Sequence, residues 1–119
     1  MATEALRLIV DQAKDFDDAV CAVREGQGHR LWVAIADVSH FVRPKTALDR
    51  EAHARGTSTY LPDRVIPMIP EIISNGLASL QPDKVRYTKS VFIEFSPEGI
   101  PLHTEPMSAA IKSRRRFSY

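Results

Sequence analysis

The sequence is poor in features that would assign it at once. Among its 119 residues there is one cysteine, Cys21. A single thiol excludes an intramolecular disulfide, and it makes a reducing cytoplasm the expected location. No apolar run approaches the roughly 18 residues of a membrane-spanning helix, so no membrane partner is expected. The opening MATEALRLIV is too short and too acidic for a signal peptide. Neither sign of charge prevails: 16 Lys and Arg face 15 Asp and Glu, a formal net charge of +1. Net charge therefore neither predicts a polyanionic partner nor excludes one. There is no P-loop, no dinucleotide-binding glycine pattern and no zinc motif.

What is present is globular. The composition is 44% hydrophobic and 26% charged, which argues against disorder and low-complexity tails. The length suits one small domain, able to bury roughly two-thirds of its unfolded surface. Leu6–Val10 reads as a short apolar strand. Ala19–Arg24 and Arg30–Asp37 read as two strands joined at Gly26-Gln27-Gly28, a hairpin. RLWVAIA within the second is apolar almost throughout, which predicts burial on both faces and places Trp32 in the core. Thr46 is a helix cap with Asp49 three residues on, and Gly56 closes the pattern. This predicts a helix over Ala47–Arg55 with Leu48 and Ala52 turned inward. Tyr60–Pro70 holds three prolines and should run extended. Glu71–Leu80 suits a short helix weakened by Asn75-Gly76. Tyr87–Phe95 and the residues from Ile100 onward read as a second hairpin across Ser96-Pro97-Glu98-Gly99. The fold class expected is α+β: antiparallel β-hairpins packed with one or two short helices. The ending Phe117-Ser118-Tyr119 carries no stop signal and reads as an element cut short.

Charge is unevenly distributed along the chain. Acidic residues gather over Asp11–Asp18, basic ones over Lys112–Arg116. Asp15, Asp17 and Asp18 lie within four residues around Phe16. Two carboxylates about 4 Å apart repel by roughly 4 kcal/mol at an effective dielectric of 20. A divalent cation removes that repulsion. Adjacent strand residues point to opposite faces, so the three converge only if the backbone turns there. Oxygen-only donors suit Mg²⁺, or Mn²⁺, rather than zinc. Such a site can activate water and stabilise the leaving oxygen of a phosphodiester. A solvated acidic loop has the same signature. An EF-hand is excluded, since its sixth position would be Val20 and its twelfth Gly26.

Four long strings narrow the choice: AKDFDDAV (Ala13–Val20), LWVAIADVSHFVRP (Leu31–Pro44), TALDREAHARGTSTYLPDRVIPMIPEIISNGLASLQP (Thr46–Pro82) and AAIKSRRRFSY (Ala109–Tyr119). In this order and spacing they resemble the catalytic RNB domain of the ribonuclease R and ribonuclease II family, over almost the whole chain. The resemblance implies a 3′→5′ exoribonuclease that hydrolyses single-stranded RNA with Mg²⁺ and releases nucleoside 5′-monophosphates. The family site is a D-x5-D-x-D-D pattern, and Asp15, Asp17 and Asp18 match its last three positions as catalytic metal ligands. The first should stand at Ile9. Asp11 is two residues out of register, so either a shortened loop lets it substitute or one ligand is absent, the second being the expectation here.

Tyr60 matches the family tyrosine that stacks on the 3′ nucleotide. An aromatic face of that kind contributes roughly 1–3 kcal/mol per base without reading sequence; a tyrosine satisfied in a core or groove is the alternative. The family domain is far longer than this chain, and its flanking cold-shock and S1-type modules are absent. Residues 1–119 are therefore read as the N-terminal part of the catalytic domain, monomeric when full length. Activity of the fragment is in doubt, and a non-catalytic RNA- or protein-binding remnant, or a chain that does not fold stably, is the rival.

Weaker signals remain. Arg64 and Arg114 are candidate phosphate contacts, with Arg114 and Arg116 expected on one strand face and Arg115 on the other. A solvated edge strand would use the same residues. Asp37, Ser39 and His40 have the residue types of a hydrolase triad without its G-x-S-x-G turn, and Asp37 is expected to serve structure or to support the site. His29, His53 and His103 lack ligand spacing and should lie on the surface.

Overall fold

The computed structural model describes residues 4–8 and 16–117, the backbone alone for 4–8, 116 and 117. In chain order the elements are β1 (Glu4–Leu8), β2 (Asp18–Glu25), β3 (Gly28–Ala36), α1 (Ala47–Arg55), β4 (Thr59–Tyr60), β5 (Val65–Ile66), β6 (Val85–Phe95) and β7 (Pro101–Phe117). Five strands close into a barrel in the order β1-β2-β3-β6-β7, while β4 and β5 form a separate two-stranded sheet. Both expected hairpins are present. β2 pairs with β3 from Asp18↔Ile35 to Glu25↔Gly28, across a two-residue turn where Gly26 supplies a φ of 59°. β6 pairs with β7 from Val85↔Lys112 to Phe95↔Pro101. At its turn the Ser96 hydroxyl accepts from the amides of Glu98 and Ile100, each at 3.2 Å. The antiparallel hairpins with their short helices fit the α+β expectation.

The closure is what the sequence pattern did not reveal. β1 lies antiparallel to β2 through Leu6↔Val20 and parallel to β7 from Glu4↔Lys112 to Leu8↔Phe117. The strand expected over residues 6–10 is described over Glu4–Leu8, and residues 9 and 10 lie outside the described residues.

Cross-strand partners share a face, so the register names the interior. One row is Ala19, Ala34 and Ser90; the next is Ala36, Thr88 and Ala109. A five-stranded barrel is narrow, and small side chains fill it. Ala19, Ala34 and Thr88 are all buried, Thr88 completely. The Thr88 hydroxyl meets that of Ser90 at 2.8 Å, which satisfies both inside the lumen. Phe16, Leu80 and Ile111 complete this apolar cluster.

β3 corrects the expectation of burial on both faces. Only Ala34 and Ala36 are buried in it, and Ile35 between them is 47% exposed. The sheet covers its inner face by closing on itself, so no second layer is needed over the outer one. Trp32 is also not enclosed. It is half-buried at the middle of β3, with its ring 5.0 Å from that of Phe92.

The long connection from β3 to β6 builds a second small core. α1 spans the expected residues, with the Thr46 hydroxyl accepting from the Asp49 amide at 3.2 Å and Gly56 left-handed at its end. The Asp49 carboxylate accepts in turn from the Lys45 amide at 2.8 Å, a reciprocal cap. Leu48 and Ala52 pack, as expected, on a cluster of Ile69, Ile73 and Ala78. The helix expected over Glu71–Leu80 is a wide π-helical turn over Ile72–Leu77; Asn75 and Gly76, both poor α-helix formers, sit within it. The proline-rich segment is extended, as expected, but doubles back so that Tyr60 pairs with Val65.

Candidate metal and nucleic-acid interface

Asp18 opens β2 opposite Ile35, and the Ala36 amide donates to the Asp17 carbonyl at 2.8 Å, which extends the ladder by one residue. Both aspartates are exposed. Phe16 just before them is 7% exposed and belongs to the same core cluster as Ala19. Three residues apart, these two would face opposite ways on a regular strand. The chain therefore departs from a regular strand between them. The turn is pinned. The Phe16 amide donates to the Ser79 hydroxyl at 3.0 Å, and its carbonyl accepts from the Leu80 amide at 2.9 Å.

Asp15, with Asp11 and Ile9, lies outside the described residues. Among the described residues no three His, Cys, Asp or Glu side chains gather as a metal cage. The donor type of Asp17 and Asp18, two exposed carboxylates, suits one kind of ion. Mg²⁺ takes one or two carboxylates and fills its shell with water and phosphate oxygens. Exposed carboxylate oxygens meet that need in kind, and they are not the nitrogen and sulfur donors that zinc prefers.

Tyr60 is 70% exposed on β4. Arg64 lies in the turn to β5, its carbonyl accepting from the Leu61 amide at 2.8 Å, so these two predicted RNA contacts share one small hairpin. That hairpin is tied back by Ser58, whose hydroxyl accepts from the Met68 amide at 2.9 Å, and by Arg55, which donates to the Pro67 carbonyl at 3.0 Å. Arg114 is on β7, where the pairing steps from Ala5↔Ser113 to Leu6↔Arg115. The expected alternation fails at this bulge, which slips the face by one residue. Arg114 and Arg115 are both exposed as a result, after the regular sequence of buried Ile111, exposed Lys112 and buried Ser113.

Asp37 is not part of a triad. Its carboxylate accepts from the Ser39 hydroxyl and faces Lys89 Nζ at 3.6 Å. The Ser39 hydroxyl holds the Asp37 carboxyl below the usual range; burial opposes this and the Lys89 charge adds to it. Lys89 donates to the Ser108 hydroxyl at 2.8 Å. The His40 ring packs on Tyr87 with centroids 4.5 Å apart. His29, His53 and His103 are exposed, as expected. A shallow cleft of about 240 Å³ lies at the opposite end of the barrel, around Gly28 and Phe95. Its Arg30 is already engaged by Glu25 and Glu94, so two carboxylates face one guanidinium there and the cleft does not suit a phosphate. Sequence reasoning missed Ser79 and Arg86, which lock the Phe16 turn. A serine between two apolar residues and an arginine on an alternating strand carry no signal of such a role.

Residues 7–119 match the family described as RNB domain. The chain belongs to the RNB-domain family. Ribonuclease R of Escherichia coli K12 is 50% identical over 110 residues, which are 92% of this chain and 14% of that protein. The fold of the RNB chain superposes on Mycoplasma genitalium RNase R in complex with double-stranded RNA with a TM-score of 0.93 at 36% identity, covering 100% of this chain and 21% of that one. Yeast Ssd1, a pseudonuclease, has a TM-score of 0.87 at 19% identity over 97% of this chain and 14% of its own, a likeness of fold alone. The RNB chain thus spans about one-seventh of the length of the curated ribonuclease R of E. coli, and the identity places it among relatives of the exoribonuclease family.

Proposed function

We propose that this chain carries the metal-holding and terminal-nucleotide face of a 3′→5′ exoribonuclease that hydrolyses single-stranded RNA to nucleoside 5′-monophosphates in the cytoplasm. The observation that carries the reading is the Phe16 turn. It brings Asp17 and Asp18 to the surface at the start of β2, in a chain matched by the RNB family over residues 7–119.

In this reading Asp15, Asp17 and Asp18 hold Mg²⁺, with Mn²⁺ as a substitute. When bound, the ion supplies charge neutralisation at the phosphodiester and a more acidic water. Tyr60 stacks on the last base, which positions the terminal bond. Arg64 and Arg114 contact phosphates and fix no sequence. Residues 1–119 act as the N-terminal part of a larger, monomeric catalytic unit. The Mycoplasma relative's RNA complex supports an RNA partner.

The test uses single-stranded RNA labelled at the 3′ or the 5′ end, with Mg²⁺ or with EDTA. Mononucleotide release from the 3′ end that disappears in EDTA, and in Asp17→Asn, supports the enzyme reading for this chain. Folded protein that binds the RNA and leaves it intact supports a non-catalytic binding remnant instead.

A further inference from the structure

Two features of the site are unexplained by the barrel itself. Ser79 is 1% exposed, and its hydroxyl reaches across 63 residues of chain to the Phe16 amide. Arg86, on β6, donates Nε to the Ser79 carbonyl at 3.0 Å and Nη2 to the Gly76 carbonyl at 3.1 Å. Gln81 adds a bond from its amide to the Asn75 carbonyl at 2.8 Å. These carbonyls stand at the end of the π-helical turn, where helical partners run out. One guanidinium therefore closes the turn and sets the orientation of the Ser79 peptide.

The bonds from this segment converge on one residue. Phe16 has its amide held by Ser79 and its carbonyl held by Leu80, and the next carbonyl, of Asp17, is held from the other side by Ala36. Phe16 is the residue between Asp15 and Asp17. Fixing its peptide lowers the ordering cost of the backbone that leads into Asp17 and Asp18, and carboxylates must sit within about 0.5 Å of their working positions to hold an ion productively. The same segment packs Ile73 and Ala78 against Ile69 and Met68.

We propose that Ser79 and Arg86 are positioning residues of the carboxylate site: Arg86 fixes the Gly76–Ser79 turn, and Ser79 holds Phe16 so that the chain entering β2 presents Asp17 and Asp18 to a divalent cation. The inference rests on the metal reading above and adds the residues that make it geometrically possible.

The test is a Mn²⁺ titration of the full chain, followed by water-proton relaxation, with a thermal melt of each variant. Ser79→Ala weakens Mn²⁺ binding about 10–100-fold, the usual effect of losing a group that orients a ligand, while the melt stays cooperative. Arg86→Lys falls between wild type and Ser79→Ala, since it keeps a donor and loses the fork. Thr46→Ala, which uncaps α1 far from Phe16, lowers the melting temperature and leaves Mn²⁺ affinity unchanged. That contrast separates positioning from general destabilisation. The proposal is overturned if Ser79→Ala and Arg86→Lys fold and bind Mn²⁺ as wild type does, or if Thr46→Ala weakens binding as much as they do. If Ser79→Ala does not melt cooperatively, Arg86→Lys decides by the same criterion. If wild type and Asp17→Asn bind Mn²⁺ equally, the metal reading itself is refuted and the positioning role falls with it.

Discussion

Tyr60 offers a sharp separation between an aromatic ring kept for binding and one kept for stability. Its residue is 70% exposed. A fully enclosed tyrosine buries about 150–250 Å², so the remaining fraction here amounts to roughly 60 Å². At about 25 cal/mol per Å² this is ~1.5 kcal/mol as an upper bound, and less once the unfolded chain's own burial is allowed for. Stacking on a terminal base is worth roughly 1–3 kcal/mol, about 5–150-fold in Kd. Tyr60→Ala should therefore cost at most about 1 kcal/mol in a denaturant titration while weakening single-stranded RNA by 5-fold or more. Tyr60→Phe keeps the ring and should leave both nearly unchanged. Affinity is read by fluorescence anisotropy of an end-labelled oligonucleotide at one fixed salt concentration, because phosphate contacts make affinity salt-dependent. Unchanged RNA affinity in folded Tyr60→Ala would refute the stacking assignment; a stability loss of 3 kcal/mol or more would show that the ring serves the core after all.

Two further outcomes follow from the geometry. A Cβ at Gly28 would lie 2.7 Å from the Phe95 carbonyl oxygen, a backbone atom that cannot step aside, whereas one at Gly26 would meet nothing within 4 Å and strain only its φ of 59°. Gly28→Ala should therefore cost about 1–3 kcal/mol by overpacking, no less than Gly26→Ala in paired denaturation curves, and the reverse order would contradict the register at this end of the barrel. The depressed Asp37 carboxyl contributes stability above its unfolded pKa that is lost as pH falls through the lower folded value. Lys89 is 59% exposed at its side chain, so the pair is solvent-screened and its share is about 0.2–1 kcal/mol. The stability difference between wild type and Asp37→Asn should accordingly be flat from pH 7 to 5 and shrink as the pH falls below about 4, the ordinary carboxylate range; a difference independent of pH would remove the ionised carboxylate from the account.

Local signals were legible where local chemistry decides. Thr46, Asp49 and Gly56 delimit α1 because a cap and a left-handed glycine are properties of a few adjacent residues. The turns at Gly26 and Ser96 set both hairpins for the same reason. The closure of β1 onto β7 was not legible, since parallel partners over a hundred residues apart leave no periodic trace in either strand. The burial of β3 was overestimated because its alanines are small to fit a narrow lumen, and Ile35 between them faces outward. Arg114 and Arg115 share exposure through a bulge that β7 alone does not announce. For the site, the aspartate string pointed to an oxygen-donor metal, and the chain leaves the regular strand at Phe16. The groups that make that turn were invisible, because Ser79 and Arg86 act through backbone atoms distant in sequence.

This division has a consequence for how catalytic competence should be judged. The barrel of this chain is built from small lumen residues such as Ala19, Ala34 and Thr88 and from hairpin register. None of these touches the proposed chemistry. The same fold at a TM-score of 0.87 occurs in a pseudonuclease, so architecture and activity are separable. Competence must instead lie in a few side chains at the start of β2 and in the bonds that orient them. Phe16 joins the two, because its ring belongs to the barrel core and its peptide spaces the aspartates. Substitutions in the lumen should therefore lower stability and ion affinity together, only as far as they unfold the chain. Substitutions along the path from Arg86 through Ser79 to Phe16 should lower ion affinity in protein that remains folded. A variant set in which ion affinity simply tracks melting temperature, whichever group is changed, would mean that the site has no positioning apparatus distinct from the fold.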